Sequence, residues 1–200
     1  MNDSIDSLAG TGASADSATS ADSAANTDVA VLGGGCFWCT ESVFSALRGV
    51  IDVTPGYSGG HVDQPTYEQV CGKRTGHIEV SRVRFDPEII DYETLLRVFF
   101  ATHDPTSIDR QGGDVGPQYA SAIFCQSLQQ QDVARRVIKE TSEMLGQPLA
   151  TQVRGAERFW AAESYHHDYY AQNPGQGYCQ IVISPKMAKF RHQFAELLAK

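Results

Sequence analysis

The strongest constraint on this chain lies between Val29 and Ser42, in the run VAVLGGGCFWCTES. A short β-branched-rich apolar stretch bounded by glycine reads as a buried strand. After the glycines, apolar residues at 37, 43, 44 and 47 recur at helical spacing, and Gly49 stops them. A strand therefore turns directly into a helix, with Cys36 at the turn. Cys39 follows one helical turn later, and Phe37 and Trp38 stand between the two thiols.

Four chemistries compete for such a turn. A dinucleotide fingerprint starting at Gly33 needs glycine at position 38, where Trp38 blocks close approach of a pyrophosphate. Structural zinc wants four nitrogen or sulfur ligands. Cys36 and Cys39 supply half, the other cysteines stand singly, and His166 and His167 are adjacent rather than at ligand spacing. A thioredoxin-like C-x-x-C fits the spacing, but disulfide exchange leaves the aromatic pair unexplained. The fourth reading is a nucleophile beside an apolar pocket. At a helix start the Cys36 sulfur faces unpaired N–H groups and the positive end of the dipole, which favour thiolate. The glycines leave space above it, and Phe37 and Trp38 can wall a site for something small and apolar, such as a methyl on sulfur.

Composition narrows the setting. Two hundred residues, 42% hydrophobic and 20% charged, make one folded domain with chain to spare. A net charge of −8 argues against a nucleic-acid partner, and no apolar run reaches membrane-span length. Five cysteines, an odd number, argue against a paired disulfide scaffold and for a reducing, cytoplasmic setting with reactive thiols. Residues 1–28 hold no Lys or Arg, no apolar core and five aspartates, so only −3 of the net charge belongs to 29–200. This segment reads as a disordered acidic tail rather than a secretory signal. The catalytic domain is expected at 29–200.

Downstream, 54–77 reads as a long ordered loop and 78–85 as a strand. Residues 91–103 read as a helix with Asp91 as N-cap. A strand over 119–125 precedes a helix from Ser127 to Leu145 that ends at Gly146. Residues 161–170 read as helical and YCQIVIS (178–184) as a strand, and Ser184-Pro185 opens a last helix. Irregularly interleaved strands and helices point to a two-layer α+β sandwich.

GGGCFWCTE (33–41) resembles the signature of the A-type peptide methionine sulfoxide reductases. The resemblance continues through GYSGG (56–60), PTYEQVC (65–71), TGHIEV (75–80), HDPT (103–106), DVGPQY (114–119) and AAESYHHDYY (161–170). It spans about 29–190, essentially the whole expected domain. It implies a mixed, mainly antiparallel sheet with a ferredoxin-like core and long coil segments. It also implies thiol-dependent reduction of methionine S-sulfoxide, free or protein-bound, by a monomer that repairs oxidised proteins. No metal or other cofactor is implied; the external reductant is thioredoxin or another dithiol.

The resemblance makes Cys36 the nucleophile that passes through a sulfenic acid. It makes Glu79 the acid that binds the sulfoxide. By alternation, Glu79 shares a face with Ser81, Val83 and Phe85, but Ile78 and Val80 make the other face apolar too, so pattern alone leaves its side open. Phe37 and Trp38 become the methyl wall, Tyr67 and Tyr119 donors to the sulfoxide oxygen, and Asp114 an aspartate near the site. Without the resemblance, Asp114 reads as a turn residue and the tyrosines as packing anchors. Cys39 and Cys179 both remain candidates for the resolving thiol. Cys71 and Cys125 read as small buried hydrophobes, and His166 and His167 as structural or rim residues.

Overall fold

The computed structural model describes residues 27–199. The expected acidic tail lies outside the described residues up to Asn26, and its last member, Asp28, already belongs to the first strand. In chain order the elements are β1 (Asp28–Gly34), α1 (Phe37–Ser45), β2 (Val50–Ser58), α2 (Tyr67–Cys71), β3 (Ile78–Phe85), α3 (Tyr92–Thr102), β4 (Arg110–Gln111) and β5 (Asp114–Val115). They continue with β6 (Ser121–Phe124), α4 (Leu128–Leu145), β7 (Gln152–Arg154), β8 (Phe159–Ala161), α5 (Tyr169–Gln172) and α6 (Ser184–Gln193).

Six strands form one sheet in the order β7-β6-β1-β3-β2-β8, and β4-β5 is a separate hairpin. Every neighbouring pair in the large sheet is antiparallel except β6–β7. The four inner strands with α1 and α3 make a βαββαβ unit, the expected ferredoxin-like core. Local chemistry sets the helix ends. Asp91 accepts a hydrogen bond from Thr94 N at 2.7 Å, Ser127 accepts one from Gln130 N at 3.1 Å, and Gly146 leaves α4 with φ 68°.

The main core lies between one face of the sheet and the helices. Ala30 and Leu32 of β1, Val83 and Phe85 of β3 and Ile123 of β6 meet Val43 and Phe44 of α1, Leu95, Leu96 and Phe99 of α3 and Met187 and Phe190 of α6. Glu79 has the parity of Val83 and Phe85, so the sheet turns it toward the helices, which decides the side that pattern left open.

Three sequence expectations change. Residues 54–77 are not one loop: Val50–Ser58 is a strand paired with β3 and, over Gly56–Ser58, with β8 as well, and Tyr67–Cys71 is a helix capped by Thr66. YCQIVIS is not a strand. Cys179–Ile183 is a π-helical turn running into α6. Cys179, Ile183, Met187 and Phe190 are buried at helical spacing while Ile181 is 77% exposed, a period that alternation cannot produce. Ser184 is therefore already helical, not a cap, and its Oγ lies 3.1 Å from the Tyr170 hydroxyl. Residues 161–170 are not one helix either. They pass from β8 through a 3₁₀ turn at Ser164–His166 to a left-handed Asp168 (φ 51°) before α5 begins.

Nor do the three glycines of the opening run leave open space: a Cβ on Gly35, the one next to Cys36, would lie 2.6 Å from Gln111 Cγ. A Cβ on Gly33 would lie 2.8 Å from Ile78 Cγ2 and 3.1 Å from the Glu79 carbonyl oxygen. One on Gly34 would lie 2.9 Å from the Phe99 ring. They allow β3 and α3 to close on β1. Gly33→Ala is therefore expected to cost about 1–3 kcal/mol through overpacking. Gly155→Ala, with nothing within 4 Å, should stay within about 0.5 kcal/mol. Urea unfolding midpoints at constant slope check both.

Candidate active site

At the C-terminal end of β1 the chain turns at Gly35 and starts α1, with Cys36 as its N-cap residue. Beside it lies a cavity of about 170 Å³ lined by Cys36, Phe37, Trp38, Tyr67, Glu79, Asp114, Tyr119 and Tyr178. Six separate segments of chain converge here. The candidates Cys36, Phe37, Trp38, Tyr67, Glu79, Asp114 and Tyr119 all meet in it. Tyr178 is the member the sequence reading missed, although it adjoins Cys179 in GQGYCQ.

Glu79 reaches the cavity from the start of β3, as its second residue, and is only 2% exposed. Its Oε2 accepts a hydrogen bond from the Phe37 N–H at 3.1 Å. Burial pushes its carboxyl up to about 8; that bond opposes the shift, and the charges of Asp114 and Cys39 add to it. At neutral pH it holds a proton it can deliver. Burial likewise raises the hydroxyls of Tyr67, Tyr119 and Tyr178, which therefore remain donors.

The aromatic wall is braced from behind. Trp38 Nε1–H donates to His166 Nδ1 at 3.1 Å, and Tyr169 stacks on the indole at 3.7 Å with an interplanar angle of 4°. His166 is 1% exposed and also packs on Phe37 and Tyr67. Burial lowers its pKa, consistent with a neutral ring whose Nδ1 accepts. Glu163 accepts from the Tyr67 N–H at 2.8 Å and from the Tyr57 hydroxyl at 3.0 Å. His166 therefore has the structural role expected of it.

A larger groove of about 630 Å³ opens on the other side of the thiols and is lined by both Cys36 and Cys39, with Tyr178 and Lys186 among its walls. Tyr178, like Cys36 and Asp114, lines both spaces; its hydroxyl donates to Asp114 Oδ2 at 2.6 Å and lies 3.9 Å from Cys39 Sγ. The helix start does not make Cys36 the more acidic thiol. Burial pushes Cys36 up, and hydrogen bonding to Cys39 and the charge of Glu79 reinforce the shift. The bond from Cys36 pulls Cys39 down to about 7, aided by Lys186, against its own burial. The two thiols act as a pair: the first proton leaves readily because the remaining S–H stabilises the thiolate.

Cys179 lines neither space. It is fully buried in the main core at the start of the π turn, and burial raises its thiol. Cys71 and Cys125 also lie outside both cavities, and burial raises both. Cys125 is buried as expected, whereas Cys71 is only half-buried. Among the described residues, no group of three or more His, Cys, Asp or Glu could hold a metal ion, and no helix is long and apolar enough to cross a membrane.

The pair predicts a thiolate titration. Ultraviolet thiolate absorbance should report a first ionisation at about 7 in the wild-type chain. Cys39→Ser should remove that step and leave Cys36 ionising well above the ordinary thiol range.

The peptide methionine sulfoxide reductase family profile matches residues 28–198. The chain is 56% identical over 171 residues to the peptide methionine sulfoxide reductase MsrA of Chromobacterium violaceum, covering 84% of this chain and 97% of the relative. It is 54% identical to that of Thermus thermophilus, covering 86% and 97%. Among solved structures, methionine sulfoxide reductase A of Corynebacterium diphtheriae superposes with a TM-score of 0.71 at 32% identity, over 74% of this chain and 76% of that one. Reduced Mxr1 of Saccharomyces cerevisiae gives 0.70 at 31% identity, over 76% and 89%. Mxr1 also appears in complex with Trx2, at 21% identity and a TM-score of 0.50 over 72% of this chain and 84% of that one. A match that runs through the cysteine turn, the acid-bearing strand and the histidine turn alike makes this chain a member of the peptide methionine sulfoxide reductase family, type A, and an oxidoreductase.

Proposed function

We propose that residues 29–200 form a monomeric cytoplasmic catalytic domain that reduces the S epimer of methionine sulfoxide, free and protein-bound, in the repair of oxidised proteins. The observation that carries this reading is the juxtaposition of Cys36 with the buried Glu79 in a small aromatic cavity.

The cavity of about 170 Å³ suits a methylsulfinyl group with part of its side chain. Phe37 and Trp38 take the methyl. The Tyr67 and Tyr119 hydroxyls donate to the sulfoxide oxygen, and Asp114 orients the Tyr178 hydroxyl beside the thiols. The Cys36 thiolate attacks the sulfoxide sulfur while Glu79 gives its proton to the oxygen. The sulfide leaves as methionine. As it leaves, the hydroxyl formed on the substrate sulfur passes to the Cys36 sulfur and the bond between the two sulfurs breaks, so Cys36 becomes a sulfenic acid, its sulfur oxidised by two electrons and the substrate sulfur reduced by two. The Cys39 thiolate then attacks the Cys36 sulfur and expels the hydroxyl as water, leaving a disulfide. A dithiol reductant, for which thioredoxin is the choice, restores both thiols by exchange. Cys39 is favoured over Cys179 because it lines the same groove as Cys36, whereas Cys179 must first leave the core.

Cys36→Ser should abolish turnover of the S epimer with a dithiol donor, and preference for the R epimer would overturn the reading. Mass spectrometry after one turnover without reductant should find a Cys36–Cys39 disulfide; a Cys36–Cys179 bridge would transfer the resolving role. The pH profile of kcat/KM should be bell-shaped. Activity rises as the thiol pair ionises at about 7 and falls as Glu79 loses its proton at about 8. Glu79→Gln, which keeps a donor but no transferable proton, should lower kcat by about 10²–10⁴-fold.

A further inference from the structure

Glu41 is buried, 2% exposed, on the same helix as Trp38 and three residues beyond it. Its Oε1 accepts a hydrogen bond from the Asp168 N–H at 2.8 Å. Its Oε2 is buried without a hydrogen-bond partner among the described residues. A buried carboxyl with one satisfied oxygen costs stability relative to an apolar filling of the same space. Stability therefore does not account for its presence, but what its satisfied oxygen holds does.

Asp168 sits in the left-handed region at φ 51°, strained for a residue that is not glycine. Immediately before and after this turn come the two supports of the pocket wall. His166, two residues earlier, accepts the Trp38 indole N–H, and Tyr169, one residue later, stacks on the indole face. The turn has no side-chain cap of its own. Glu41 supplies the acceptor that keeps the chain in that conformation.

We propose that Glu41 is a positioning residue for substrate binding. By holding the strained turn at Asp168 it keeps His166 and Tyr169 against opposite parts of Trp38, and so fixes the indole as a wall of the sulfoxide pocket. The helix that carries the wall thus also carries the group that fixes its brace. The role is exerted on binding rather than on the chemical step, because Glu41 lines neither space that reaches the thiols. It rests on Trp38 being a wall of the substrate pocket.

Substitution separates this role from a purely structural one. Burial pushes the Glu41 carboxyl up to about 7, so Glu41→Gln is a close mimic: neutral, the same shape, and with an oxygen for the Asp168 N–H. Glu41→Ala removes that acceptor. With a sulfoxide peptide and a small dithiol donor, Glu41→Ala should raise KM about 10-fold with kcat within about twofold, whereas Glu41→Gln stays within about twofold on both. In a Trp160→Phe background, the remaining Trp38 emission should shift to the red and become more quenchable by acrylamide in Glu41→Ala, but not in Glu41→Gln. Tyr169→Ala, which removes the stack directly, should reproduce the KM rise, and it serves if Glu41→Ala does not fold. Unchanged KM and Trp38 emission in Glu41→Ala, or an unchanged KM in Tyr169→Ala, overturns the proposal. The emission measurement needs no turnover, so it reads the brace even if the assigned reaction fails.

Discussion

The hydrogen bond from the Phe37 N–H to the Glu79 carboxyl is the contact on which the site depends. It joins the first turn of α1 to the start of β3, across the close approach that Gly33 permits. It also ties Glu79 to Cys36, because Phe37 is the next residue after Cys36. Burial keeps Glu79 neutral near physiological pH, and a charged Glu79 would in turn suppress a thiolate at Cys36. A dry site of this size holds one negative charge more readily than two. The surroundings therefore favour a neutral Glu79 beside a thiol pair that carries a single charge, held more readily at Cys39 than at the buried Cys36.

The thiol pair stands between two spaces of different character. The small aromatic cavity holds the donors and the wall. The larger groove holds Cys39 and Lys186. Tyr178 is bound to Asp114 and lies close to Cys39. Cys36, Asp114 and Tyr178 line both spaces, whereas Cys39 lines only the larger one. The Glu163–Tyr169 segment serves the first side only. It braces Tyr67 through Glu163 and Trp38 through His166 and Tyr169.

Much of this could be read from the residues. The strand-to-helix turn with Cys36, the caps at Asp91 and Ser127 and the acid-bearing strand all follow from local rules, because capping and period act within a few residues. Where expectation failed, a distant contact overrode the local signal. Pro55 and Gly56 look like loop residues, yet they lie in a strand because β3 and, from Gly56 on, β8 supply partners. YCQIVIS looks like a strand, yet it is helical because its buried positions recur every three or four residues against the core. Residues 161–170 look like one helix, but Glu163, His166 and the Asp168 N–H are each engaged by a distant partner.

The sequence by itself determined the strand-to-helix turn that carries Cys36, because that follows from residue type and short-range spacing, whereas Glu79, Tyr67, Asp114 and Tyr119 were legible as a set only through the family resemblance, since locally they read as strand, packing and turn residues. Only the tertiary structure decided which way Glu79 faces, that Tyr178 joins the site, that Cys39 rather than Cys179 lies in the groove with Cys36, and that Glu41 holds the brace behind Trp38. Each of these is a contact between segments far apart in the chain. Its energy comes from burial that exists only once the sheet and helices have closed, and no local pattern records it.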